Sequence, residues 1–499
     1  MTRSPVKPTS RARVGLYSIG LRTYWNQFDG LRERLVGYGR FIEQEMGSAA
    51  DVYNFGLIDS PEKAREAGEW FNAQDVDIVF CHSATYATSS IVLPIHQICP
   101  KPVVVLNLQP TPQVNYRQTT TGEWLAHCGA CPVPEISYAF HRANIPFRVV
   151  NGLLGMDDTP DISLTNEVTR RRPEAQSAWL QIREWIKAAS VVRNFRRGNF
   201  GFLGNTYNGM LDMYSDFTLI QAKLGIHVEI LEMCDLNELL RTVTDTEVRL
   251  KLEETQELFE ISEEVPVDPI AKKPSAEQLR WSAKIAVAQE KLVVSRNLDA
   301  LAYYYHGTTG SDYEALQAGF ILGHSLLTAR GIPCAGEGDL KTAIAMKICD
   351  ILGAGGSFSE IVVVDYENQT ILLGHDGPFH VGIARGKPIL RGMSLYHGKQ
   401  GTGISVEAKI QEGPITTLQI TQTRNGDLKL IIGEGEATDG SIMHIGNTQT
   451  AVRFREHPDI YMERWFAEGP THHFAMSIGH NAALFKKVGD LLGCPTVVL

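Results

Sequence analysis

The chain has 499 residues, a formal net charge of −10 and 43% hydrophobic content, too long for one core and enough for two or three domains. Acidic and basic residues are mixed, which excludes the footprint of a nucleic-acid or anionic-membrane binder, and no apolar run reaches the roughly 18–20 residues of a membrane span. The N-terminal stretch lacks the apolar run of a signal peptide, and the eight cysteines are scattered, as for free thiols in a reducing compartment; a cytoplasmic protein is expected.

In chain order, Val14–Ile19 is a predicted strand, followed by the loop GLRTYWNQFDG and a helical pattern over Leu31–Met46. Val52–Phe55, Asp77–Cys81 and Pro102–Leu108 are further short apolar runs, with a helix over Pro61–Gln74 between the first two. Continuous apolar strands separated by helices predict a parallel sheet covered on both faces. Ligands in such sheets lie at the carboxyl ends of the strands, which here carry Arg22, Tyr24, His82, Thr85, Asn107 and Gln109. No GxGxxG opens the first helix, so a dinucleotide is not expected.

The segment Thr111–Pro134 is polar and aromatic, and holds Cys128 and Cys131 as CxxC beside His127. A zinc knuckle needs a second ligand pair at similar spacing, and none follows; the expectation is a loop with two small buried thiols. His127 is a candidate ligand contact. Phe147–Val150 predicts another strand and Glu174–Ala189 a helix, after which three arginines within Arg193–Arg197 mark a boundary.

A second unit starts at Asn199–Leu203, with strands at Val228–Leu231 and Ala300–Tyr305 and long helical patterns over 235–295. Its alternation of strand and helix predicts another doubly wound α/β unit. Gly331 to Gly353, GIPCAGEGDLKTAIAMKICDILG, reads as a short loop carrying Glu337 and Asp339, then a helix. Ile344, Ile348, Ile351 and Leu352 give that helix one apolar face. Asp339 suits its N-cap. Beyond Gly353 the pattern changes to consecutive strands. Ile361–Asp365 and Thr370–Gly374 flank a turn, and Ile415–Thr423 meets Asn425-Gly426 before Leu428–Ile432, a hairpin signal in which both turn residues take positive φ. The last third is therefore expected to be mostly antiparallel β-structure.

Glu337, Asp365, His375 and His473 each fall at or near the end of a predicted strand or loop. Such a mixed oxygen and imidazole set suits Mn²⁺ or Mg²⁺ better than thiolate-preferring zinc. These residues also carry a family resemblance. GEGDLKTA resembles the glutamate-bearing segment of L-arabinose isomerase, and HHFAMSIGHNAALFKKVGDLLGCP is similar to the C-terminal end of L-fucose isomerase. In that family a histidine lies seven positions before the histidine of a Gly-His pair, as His473 does before Gly479-His480. The segment VVVDY resembles the one bearing a metal aspartate in fucose isomerase, which points to Asp365. LLGHDG resembles the segment of the arabinose isomerase metal histidine, which points to His375. Glu360 is a rival to Asp365, because the second glutamate of arabinose isomerase also follows a Ser-Phe pair.

The resemblance implies an α/β protein of two Rossmann-like doubly wound domains, 1–195 and 196–355, followed by a β-rich C-terminal domain, 356–499. It implies a homo-hexamer or homo-tetramer with sites shared between subunits, and no nucleic-acid or membrane partner. It also implies aldose–ketose isomerisation of a sugar with Mn²⁺ (or Mg²⁺). Glu337 and Asp365 would exchange the proton and touch the metal, with His473 and His375 as further ligands. Arg22, Tyr24, His127, Asp376 and His472 are the candidate substrate contacts. Two other classes stay open from the residues alone: a metal-dependent lyase, epimerase or hydrolase on the same scaffold, and a non-catalytic sugar-binding protein.

Overall fold

The computed structural model describes residues 8–157, 168–263, 268–305, 307–393 and 402–499. They form two compact units, 10–193 and 194–499.

The first unit is a five-stranded sheet of β1 (Arg13–Ile19), β2 (Asp51–Ile58), β3 (Ile78–His82), β4 (Val103–Gln109) and β5 (Phe147–Leu153), in the order β2-β1-β3-β4-β5. All four pairings are parallel. β3 is buried at every position and β1 at all but its first, as their unbroken apolar runs require. The helix Pro61–Ala73 starts where two local devices coincide: Ser60 accepts from the Lys63 N–H, and Pro61 occupies the first turn.

The second unit begins with a parallel sheet of β6 (Asn199–Gly204), β7 (His227–Leu231), β10 (Ala300–Tyr304) and β11 (Cys334–Ala335), in the order β11-β10-β6-β7. Two short strands that the sequence does not announce, β8 (Glu260–Ile261) and β9 (Ala271–Lys272), pair with β14 (Ile389–Met393), which also pairs with β15 (Ile404–Glu407).

The remaining strands are β12 (Gly355–Asp365), β13 (Thr370–His375), β16 (Gly413–Gln422), β17 (Leu428–Ala437), β18 (Thr448–Phe454), β19 (His473–Ile478) and β20 (Thr496–Val498). They run β16-β19-β12-β13-β18-β17-β20, and β16 pairs with β17 as well. That last pairing closes six antiparallel strands into a barrel, which removes their sheet edges; β20 joins β17 in parallel outside the ring. The hairpin between β16 and β17 has a five-residue loop in place of the two-residue turn, and only Gly426 takes positive φ there.

The helix α1 (Leu340–Ile351) lies against β10 of the parallel sheet and against β12, β16 and β19 of the barrel. Consequently every residue from Leu340 to Cys349 is buried, not one face of the helix as its periodicity suggests. The two buried lysines each find acceptors: Lys341 Nζ donates to Tyr214 O at 3.0 Å, and Lys347 Nζ to Gly331 O at 2.7 Å.

Candidate metal centre

The site is built where β11, α1 and three barrel strands meet. Between β11 and α1 the chain makes one tight turn in which Glu337 has φ 59°, the left-handed region that a residue with a Cβ pays roughly 1–3 kcal/mol to occupy. Neighbouring backbone enforces it. Tyr207 N–H donates to Glu337 O at 2.9 Å. Gly338, at φ 74°, lies so close to the 205–206 backbone that a Cβ there would come 2.3 Å from Asn205 O.

Asp339 follows at the N-cap of α1, its Oδ1 accepting from Thr342 N–H at 3.0 Å, as the sequence predicts. Its other oxygen lies 3.1 Å from His473 Nδ1. Both side chains are fully buried. A carboxylate beside Nδ1 accepts from the proton kept on that nitrogen and leaves the Nε2 lone pair to face outward. Hydrogen bonds from His473, Lys341 nearby and the Thr342 N–H hold the Asp339 carboxyl below its usual range, although burial alone would raise it.

Strand register supplies the rest. On β12, Glu360 stands opposite His473 of β19 on one side and Gly374 of β13 on the other, one residue before His375. Donor atoms of Glu360, His375 and His473 lie within 4.8 Å of one another, and the same holds for Glu337, His375 and Asp376 and for Glu337, His472 and His473. Glu337 Oε2 is 3.7 Å from His473 Nε2, and Glu337 Oε1 is 4.0 Å from His375 Nε2. Phe358 packs against both imidazoles, at 4.6 Å and 4.3 Å between ring centres. Burial raises the Glu360 pKa, with a smaller push from Glu337 and Asp376, against the pull of His473 and His472.

The structure thus brings Glu337, His375, His473, Asp376 and His472 together. It does not bring Asp365. That residue ends β12 five positions after Glu360, about 16 Å along an extended strand. Its carboxylate serves the turn, accepting from Asn368 N–H at 2.9 Å and Asn368 Nδ2 at 2.7 Å, and these bonds hold its pKa below the ordinary value. The carboxylate on β12 that faces the histidines is Glu360. Arg22, Tyr24 and His127 belong to the first unit. There Arg22 lies 3.7 Å from Asp59, Tyr24 meets the Phe28 ring edge-on, and His127 spans Thr111 Oγ1 and Glu123 O at 2.8 and 2.9 Å.

Two groups at the site have no sequence signal. Asp212, in the turn after β6, binds His472 twice through Oδ2, 3.0 Å from its N–H and 2.6 Å from Nδ1. Burial would lower the His472 pKa, but the bond to Asp212 and the nearby Glu337 carboxylate push it up to about 10, which favours a cationic ring whose Nε2 lies 3.9 Å from Glu337 Oε2. Tyr303, at the floor of the adjoining pocket with Glu337, His375 and Asp376, has its phenol held well above the usual range by burial and then by Cys334, Asp376 and Glu337. It therefore stays a neutral hydrogen-bond donor.

Residues 215–355, which include Glu337, Asp339 and α1, match the family model of the L-arabinose isomerase central domain. In this stretch the chain is similar to L-arabinose isomerases. Among curated relatives, it is 20% identical over 332 residues to L-arabinose isomerase of Aeromonas salmonicida, covering 65% of this chain and 64% of that protein. It is 22% identical over 325 residues to the enzyme of Geobacillus thermodenitrificans, covering 64% of each. The matches therefore span less than two thirds of these relatives' length. Among solved structures, a periplasmic solute-binding protein of Actinobacillus succinogenes with bound D-allose matches at 10% identity over 65% of this chain and 78% of its own, with a TM-score of 0.16. That score carries no weight for fold or ligand.

Proposed function

We propose that this chain is a metal-dependent aldose–ketose isomerase of the L-arabinose isomerase superfamily. The observation that carries the reading is the convergence of two carboxylates, Glu337 and Glu360, on two buried imidazoles, His375 and His473. The residues fit a divalent ion: His473 Nε2 is buried and makes no hydrogen bond, and Asp339 fixes the tautomer that leaves this nitrogen free to ligate. The set has no thiolate and two carboxylates, which favours Mn²⁺ or Mg²⁺ over zinc. When bound, the ion would supply positive charge against that developing on the two sugar oxygens.

Isomerisation moves a proton between C1 and C2 through an enediol, which needs one group to accept it and another to handle the proton between the oxygens. Glu337, held rigid by its turn, and Glu360, kept easy to protonate by burial, are the pair we assign. The cationic His472, positioned by Asp212, and the Tyr303 phenol would orient sugar hydroxyls. We extend the reading to a cytoplasmic assembly of four or six chains, in which Arg22, Tyr24 and His127 of one chain serve the site of another. Each chain would have three functional parts, 1–195, 196–355 and 356–499.

Incubating the purified protein with a panel of aldoses and Mn²⁺ should yield ketose. EDTA treatment should abolish the activity, and Mn²⁺ should restore it better than Zn²⁺. Unchanged turnover in metal-free protein would overturn the proposal.

A further inference from the structure

No step of the proposed isomerisation uses the two thiols of the CxxC segment, and they are not buried as its sequence suggests. Cys131 is exposed and Cys128 half-buried, whereas Cys81, Cys99, Cys334, Cys349 and Cys494 are all buried. We propose that Cys128 and Cys131 form a reversible intramolecular disulfide, a thiol-oxidation site on the outside of the first unit.

The backbone is already arranged for it. Cys128–Ala130 is one turn of 3-10 helix, closed by Cys131 N–H donating to Cys128 O at 3.4 Å. In that geometry residues three apart are eclipsed and rise about 2 Å each. Their Cα atoms are then roughly 6 Å apart with side chains on one side, inside the window of about 4.4–6.8 Å that a disulfide requires.

The turn is also pinned from behind. Ser83 Oγ donates to Gly129 O at 2.6 Å, and Thr85 Oγ1 to Leu125 O at 2.7 Å. Gly129 packs so tightly on β3's extension that a Cβ would come 2.3 Å from Ser83 O. Closure therefore needs side-chain rotation only, with the backbone left in place. A metal site is the rival use of such a pair. Among the described residues, no cluster of three potential ligands contains a cysteine. The adjacent His127 has both ring nitrogens engaged, with Glu123 O and Thr111 Oγ1.

The oxidant is a low-molecular-weight disulfide. The exposed Cys131 thiolate attacks one of its sulfurs, its S–S bond breaks, and one half leaves as a thiolate. Cys128 then gives its proton to water and attacks the Cys131 sulfur of the mixed disulfide, expelling the second half. One S–S bond forms in the protein, one is lost from the reagent, and two electrons pass from the cysteines to it. Burial, and then Cys131, push the Cys128 thiol up to about 11, so the first attack falls to the exposed Cys131.

The test uses reduced full-length protein, oxidised glutathione as reagent and peptide mapping without reductant. In the wild type, the peptide carrying both residues should lose two hydrogens and retain no glutathione. Cys128→Ser should instead trap one glutathione on Cys131, because the second step has no nucleophile. Glutathione left on Cys131 of the wild type, or no reaction at Cys131 in either protein, would overturn the proposal.

Discussion

Glu360→Gln is expected to cut turnover by about 10²–10⁴-fold, the usual cost of losing a general acid or base, while Asp365→Asn leaves turnover unchanged. The substitution keeps side-chain size and one oxygen, so the barrel should fold as before. What it removes is the proposed proton-transfer group and a carboxylate oxygen beside His375 and His473. Affinity for Mn²⁺ should fall too, because an amide is a poorer ligand for a hard cation. Turnover at saturating Mn²⁺, with solvent-deuterium incorporation into the product, separates lost proton transfer from lost metal. Asp365, bonded to Asn368 at the far end of β12, has no route to either effect. A dead Asp365→Asn with an active Glu360→Gln would reverse the assignment.

Glu407→Gln is expected to destabilise the second unit by about 3–5 kcal/mol, the range for removing one partner of a buried ion pair. At the conversion for domains of about 150–250 residues that is a fall in Tm of roughly 6–20 °C, and this larger unit should lie toward the lower end. Arg391 is 2% exposed and Glu407 wholly buried; Nε and Nη2 of the arginine meet the two carboxylate oxygens at 2.6 and 3.1 Å. Ser262 Oγ accepts from Nη1 at 2.9 Å, and the Gly446 N–H caps the carboxylate at 3.1 Å. Without its counter-charge, the buried guanidinium loses the partner that offsets its desolvation.

The same pair gives a pH dependence. Burial alone would raise the Glu407 pKa, but Arg391, His444 and the Gly446 N–H override it and hold the value low. A carboxyl lowered on folding stabilises above its unfolded pKa of about 4.3, and that stability is lost as pH falls through the lowered folded value. Melting temperatures followed downward from pH 6 should therefore drop more steeply in the wild type than in Glu407→Gln. Equal slopes would show that the pair contributes nothing.

The parallel sheets were legible because β1, β3 and β4 are continuous apolar runs, buried as such runs must be. Asp339 was legible as a cap because capping is local, and Glu337 because two glycines flank it. Barrel closure was not, since it depends on β16 pairing with β17 and β19, contacts set by tertiary packing. Strand β12 misled for a related reason. Its polar first half, with Ser357 and Ser359, is buried in the barrel, while Val362 and Val363 are 44% and 46% exposed. A reading that starts the strand at its first valines misses the alternation that puts Phe358 and Glu360 on one face. Asp212 had no signal at all, because its partner His472 lies 260 residues away.

Crystals grown with Mn²⁺ and measured for anomalous scattering test the proposed four-residue metal site most directly. The expected result is one strong peak bounded by Glu337, Glu360, His375 and His473, with Asp339 still on the far side of the His473 ring. A peak ligated by Asp365, or no peak at this cluster under conditions where the protein turns over an aldose, would contradict it.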